Sequence, residues 1–158
     1  ERRPLDSANI YIGNIGNFGS MTSSGICYEL SSRGLTLQNL YYFFDAATGK
    51  RAIADKLRSS IHLQPERLEL QSLLFPELCD CRTIVVANKK HNDGIYFSGI
   101  DIEQLLYFME LLDYPAGLVD YTVANRDRLA HLSFDVGIDF RMVDGDLKLL
   151  KSSYYGVF

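Results

Sequence analysis

The chain has 158 residues, 47% of them hydrophobic and 23% charged, with a net charge of −4. That is enough apolar material for one domain with its own core, and it excludes a natively disordered chain. The acidic balance argues against nucleic acid and anionic membrane surfaces as partners, because the densest cationic run is only Asn88-Lys89-Lys90-His91. No apolar run approaches the roughly 20 residues of a membrane span. Three cysteines, Cys27, Cys79 and Cys81, point to a reducing, cytoplasmic setting rather than a disulfide scaffold. The chain starts at Glu1 rather than Met, so residues 1–158 read as a single domain that a longer protein can contain.

Residues 1–8 read as a loose lead-in, and residues 9–15 (NIYIGNI) as a lone strand. A loop with Gly13, Gly16, Gly19 and Gly25 follows. Residues 25–32 and 35–45 flank Arg33-Gly34, which is a hairpin signal. Thr48 is placed to cap a helix carrying Ile53, Leu57 and Ile61, which fall four apart. Pro65 suits the first turn of a second helix with Leu70, Leu73 and Leu74 on its apolar side, and Pro76 ends it. RTIVVANKK reads as a buried strand, NDG as a turn and GIYFSGI as the returning strand. Ser98-Gly-Ile-Asp101 reads as the start of a deeply buried helix with Ile102, Leu105, Leu106, Met109 and Leu112 on one side, which Pro115 stops. A more polar helix spans 117–131. SFDVGIDFRMV, a turn at Asp144-Gly145 and DLKLLKSSYYGVF make a last hairpin.

The expected fold class is therefore α+β. Antiparallel hairpins alternate with helix pairs, in the order β-ββ-αα-ββ-αα-ββ, as a single layer or partial barrel of sheet packed on helices. This order of elements is similar to that of the ααββ barrel of some aromatic prenyltransferases, with no shared motif.

The glycine loop is the first site candidate, with Gly16, Asn17 and Gly19 as ligand-binding residues of a lid. Its G-x-x-G-x-x-G spacing matches neither the dinucleotide fingerprint nor the P-loop, and it leads into a strand rather than a helix, so a plain connector is the simpler reading. In FDVGIDFR, alternation puts Phe134, Val136, Ile138 and Phe140 on one face and Asp135, Gly137, Asp139 and Arg141 on the other. Two carboxylates at this spacing can hold a divalent cation or divide acid and base roles, and in an enzyme Arg141 and Lys151 would join them around a pocket. The plain alternative is a solvated face with a counter-charge. A regular ladder would set Ile138 against Lys151. A one-residue bulge at Leu149-Leu150 instead sets Asp139 against Lys151 and Val136 against Tyr154.

Lys89 and His91 at a hairpin tip can grip an anion, or can simply be solvated. Cys79 and Cys81 are spaced for a shared metal, yet no second close pair supplies the other ligands, so no metal site is assigned and the cofactor is left unspecified. The ten tyrosines fall mostly on expected strands. Tyr154 and Tyr155 in particular can line an amphipathic pocket.

Three functions follow from this reading. The first is a non-catalytic domain that binds a small, partly apolar molecule or a protein partner. The second is a transferase-like enzyme for an aromatic or diphosphate-bearing substrate, using Asp135, Asp139, Arg141 and Lys151. The third is a homo-oligomer formed through the terminal strand SSYYGVF, an edge that invites pairing.

Overall fold

Residues 6–14, 23–64 and 71–157, the part described in a computed structural model, form one seven-stranded sheet whose spatial order follows the chain order. The strands are β1 (Ser7–Asn14), β2 (Ser23–Ser31), β3 (Gly34–Asp45), β4 (Thr83–Lys89), β5 (Asp93–Ile100), β6 (Ser133–Val143) and β7 (Asp146–Val157). Every neighbouring pair is antiparallel. Between β3 and β4 lie α1 (Lys50–Arg58), α2 (Gln71–Leu74) and a 3-10 turn (Pro76–Leu78). Between β5 and β6 lie α3 (Ile102–Leu111), α4 (Ala116–Ala124) and α5 (Arg126–Leu129). The architecture is α+β. β1 and β7 do not pair with each other, so the sheet is open rather than a closed barrel.

Several local expectations are corrected. The first strand is not alone: it pairs with β2 from Ser7↔Ser31 to Asn14↔Ser24. The first crossover shows, among the described residues, α1, the four-residue α2 and a 3-10 turn, and Pro65 and Leu70 of the expected second helix lie outside those residues. Thr48 does not cap α1, because its N–H and hydroxyl both donate to Asp45 Oδ1 at 2.8 Å. That closes the turn before the helix and leaves Gly49 as its N-cap. The β2–β3 turn is Ser32-Arg33, with Gly34 already in β3 at φ 104°. The β4–β5 loop is built on Lys89 to Asn92, not on NDG, and the Lys89 N–H donates to the Asn92 carbonyl at 3.1 Å. The helix expected over 117–131 breaks at Asn125 into α4 and α5.

Other local signals act as read. Asp101 caps α3, accepting from the Gln104 N–H at 2.9 Å, while Gln104 Oε1 accepts from the Asp101 N–H at 3.0 Å. Gln104 Nε2 also donates to the carbonyls of Glu77 and Asp80, which fastens the 3-10 segment to the helix start. Asp144 and Gly145 both have positive φ, 54° and 89°, as a tight two-residue hairpin turn requires. The β6–β7 ladder slips after Asp139, so Asp139 pairs with Lys151 and Phe140 with Leu149, leaving Leu150 as the extra residue of a bulge.

The core lies between one face of the sheet and the helices. Ile84, Val86, Ile95, Phe97, Val136, Ile138 and Phe140 alternate inward from β4, β5 and β6. They meet Ile53 and Leu57 of α1 and Leu105, Phe108 and Met109 of α3. Phe97 sits at the centre of the sheet with no exposed surface. Truncating it by Phe97→Ala removes a fully buried ring from a site flanked by paired strands that cannot collapse, and is expected to cost about 3–5 kcal/mol, read as a fall in the urea midpoint at unchanged slope.

Candidate functional site

Residues that alternate away from the helices form the second face of the sheet. Here Tyr11 of β1, Tyr41 and Phe43 of β3, Val85 of β4, Tyr96 of β5, Asp135 of β6 and Tyr155 of β7 surround a hollow of about 460 Å³, with Thr83 and Ser98 completing its wall. In a flat sheet, strands one and seven would be about 29 Å apart at roughly 4.8 Å per step. Tyr11 and Tyr155 belong to those two edge strands, yet both line this one hollow. The sheet therefore curls towards this face and makes a trough.

A glycine makes room for one of these rings. A Cβ on Gly137 would fall 2.0 Å from Tyr96 Cδ1, so the Tyr96 ring rests directly against the β6 backbone. Gly25 lies beside Phe43, but a Cβ there would meet the ring at an ordinary contact distance of 3.4 Å, so that ring does not require glycine. The Tyr96 hydroxyl reaches along β6 and donates to Asp139 Oδ1 at 3.1 Å. The same oxygen accepts from Lys89 Nζ at 2.5 Å. The Lys89 and Asp139 side chains are only 15% and 13% exposed, which makes this ion pair sheltered rather than superficial. The Lys89 ammonium also stands 5.5 Å from the Tyr96 ring centroid.

Burial, reinforced by the Asp139 charge and hydrogen bond, pushes the Tyr96 phenol far above its ordinary range. Burial also raises Tyr41, against the opposing hydrogen bond from Asn39 Nδ2 at 2.9 Å. Tyr11 is raised by burial and by its hydrogen bond with Cys27. The trough thus presents neutral phenols on apolar bodies. Such groups donate and accept hydrogen bonds but do not take protons as bases.

The residues singled out from sequence divide among several places. Asp135 and Asp139 do share the trough face, but both are engaged. Asp135 Oδ1 accepts the Gly99 N–H at 3.0 Å, holding the β5 irregularity where Gly99 has φ 79°. Asp139 faces Lys151 across the ladder as expected, but its ion pair is with Lys89, and Lys151 is exposed. Arg141 lines a separate cleft with His91, His62 and Asp144. Tyr155 lines the trough, whereas Tyr154 turns to the helix side and packs edge-on against Tyr114 at 5.8 Å. Lys89 serves the trough through Asp139, while His91 stays exposed at the loop tip. Gly16, Asn17 and Gly19 lie outside the described residues.

Cys79 Sγ donates to the Leu74 carbonyl at 2.7 Å, and burial pushes the half-buried Cys81 thiol up to about 11, so neither is poised as a thiolate. Among the described residues no group of three or more His, Cys, Asp or Glu is arranged to hold a metal ion, and no helix is long and apolar enough to cross a membrane. The alternation that names Tyr41, Phe43, Val85 and Tyr96 as one face is present in the sequence. Their convergence with Tyr11 and Tyr155 is not. Comparison with family models, curated proteins and solved structures finds no match.

Two outcomes follow from the Tyr96–Asp139–Lys89 cluster. Lys89→Met leaves a sheltered carboxylate without its cation and is expected to destabilise the fold by about 3–5 kcal/mol, with the Lys89→Met/Asp139→Asn double variant recovering much of the loss in urea denaturation. Tyr96 keeps its proton more tightly folded than unfolded. Its contribution is therefore complete below the unfolded value near 10 and declines as pH rises from there through the raised folded value. Stability measured from pH 8 to 11 should fall more steeply above about pH 10 in the unmodified protein than in Tyr96→Phe.

Proposed function

We propose that this domain binds a small, partly apolar ligand with an aromatic or similarly flat body, held without covalent chemistry in the tyrosine-lined trough. The observation that supports this most directly is the gathering of Tyr11, Tyr41, Tyr96, Tyr155 and Phe43 from four strands around one hollow of about 460 Å³. That volume falls within the range of small-molecule pockets, which are apolar with a few convergent polar groups. Aromatic walls supply offset and edge-on contacts, phenol hydroxyls orient a polar substituent, and Asp135 adds one acceptor. A transferase acting through Asp135 and Asp139 is the weaker reading, because a catalytic carboxylate must be free to exchange a proton with substrate and both already accept protein hydrogen bonds. The three unpaired thiols suit a reducing, cytoplasmic setting.

A second reading rests on a different observation. The outer edge of β7 carries no strand among the described residues, and Leu149, Leu150, Tyr155 and Val157 along it are exposed. A 12-residue edge of this kind can pair with a second copy. Sedimentation equilibrium distinguishes the two: a monomer at high concentration removes the oligomer reading and leaves the trough untouched.

The test of the binding reading is a ¹H–¹⁵N titration of the protein with a panel of one- and two-ring aromatic compounds. Saturable shifts are expected at Val85, Tyr96, Gly137 and Tyr155. Tyr155→Ala should weaken the best compound about tenfold, in line with the roughly 1.4 kcal/mol carried by an aromatic contact and its buried area. Tyr121→Ala, at an exposed tyrosine of α4, should leave binding unchanged. Absence of any saturable response along the trough refutes the reading.

A further inference from the structure

The tyrosine trough has a sign as well as a shape. Of the residues around it, Asp135 alone carries a formal charge. Its Oδ1 accepts the Gly99 N–H at 3.0 Å. Oδ2 meets no donor among the described residues and keeps accessible surface, unlike the sealed, unpartnered Oδ2 of Asp93 on the helix side of the sheet. A ligand lying in the hollow can therefore reach this oxygen. A carboxylate beside electron-rich ring faces favours a positively charged guest.

Lys89, the cation beside Tyr96, does not reverse that sign. Its ammonium is bonded to the Asp139 carboxylate, so the two charges cancel where they stand and neither residue lines the hollow. Tyr96 itself is already in use, with Gly137 against its ring and the Lys89 ammonium 5.5 Å from its centroid. It serves as the floor. The rings open to a ligand stand at the rim: Tyr11 and Tyr155 are 65% and 60% exposed. Tyr41 lies 6.4 Å from Tyr11 between centroids and is tilted by 40° to it. Rings that meet at an angle can present more than one face to the same cation.

We propose that the ligand of the trough carries a methylated ammonium group, held against the rings of Tyr11, Tyr41 and Tyr155 with its charge beside Asp135. This rests on the binding reading above and adds the charge of the ligand to it. A methylated cation suits these walls better than a primary ammonium. Its N-methyl carbons need no hydrogen-bond partners and shed water readily. Three N–H donors would each have to find an acceptor in a hollow walled mainly by ring and aliphatic carbon. A bare metal ion fits less well again, since hard cations need several oxygen ligands and Asp135 supplies the one carboxylate.

The experiment is a ¹H–¹⁵N titration of the whole protein with benzyltrimethylammonium chloride, against benzylammonium chloride, benzyl alcohol and sodium chloride at matched concentrations. Saturable shifts from the first are expected at Val85, Ser98, Asp135 and Tyr155, with a dissociation constant on the order of millimolar. Benzylammonium and benzyl alcohol should each bind about fivefold more weakly. Asp135→Asn keeps an acceptor for the Gly99 N–H and removes the charge. It should weaken the trimethylammonium compound about fivefold and leave the alcohol within about twofold. Tyr155→Leu, at an exposed position of an edge strand, keeps apolar bulk and removes a ring face. It should lower the preference for the cation over the alcohol about threefold even if Asp135→Asn fails to fold. Benzyl alcohol binding at the trough as tightly as the cation overturns the proposal and leaves the binding reading standing. Equal binding of benzylammonium, shifts that sodium chloride reproduces, or a preference for the cation unchanged in either folded variant also overturns it. A flat response to the cation does so too, and a flat response to the alcohol and the aromatic panel as well refutes both readings.

Discussion

The contact between the Tyr96 ring and the bare backbone at Gly137 governs the open face of this sheet. Any side chain at 137 would occupy the space that the ring fills. With the ring there, its hydroxyl is delivered to Asp139, and Asp139 is thereby fixed for Lys89 on the next strand but one. Three neighbouring strands are thus tied across their solvent side by one ring, one carboxylate and one ammonium. Glycine opposite a tyrosine also removes bulk from the inner side of a bend, which lets β6 and β7 turn towards the trough.

The two faces of the sheet do different work because strand side chains alternate. Inward positions of β4, β5 and β6 are mostly aliphatic or phenylalanine and are sealed by α1 and α3, which gives the fold its hydrophobic stabilisation. Outward positions combine tyrosine hydroxyls, a few acids and small residues. That combination is too apolar for a purely solvated surface and too polar for a second core. A curved sheet reconciles the two, since curling gathers the tyrosines around one hollow while Tyr11 and Tyr155 at its edges stay largely exposed. The helix side differs where the chain leaves α1 and passes the loop ends of β3 and β4. There a carboxylate faces inward on the helix side without the counter-charge that its outward neighbour Asp139 enjoys.

Much of the local structure was legible in the residues. Asp101 ahead of an apolar periodic run declared the start of α3, and Asp144-Gly145 declared the last hairpin turn. The bulge at Leu150 followed from one mismatch, since a regular ladder would have set Ile138 against a lysine. Where two local signals competed, the sequence misled. Thr48 looked like a cap, but Asp45 lay three residues before it and took both of its donors. NDG looked like a turn, but the strand pattern of β5 extended back to Asp93 and pushed the loop onto Lys90 and His91.

The sequence by itself determined the α+β class, the strand alternation that separates core from tyrosine face, and the places where the chain turns. These depend on side-chain spacing and backbone preference within a few residues. Only the tertiary structure decided that β1 joins β2, that Lys89 rather than Lys151 neutralises Asp139 across 50 residues of chain, and that Tyr11 and Tyr155 meet over one hollow. Those outcomes depend on sheet order and curvature, which are collective properties of seven strands packing on their helices and are written in no single segment.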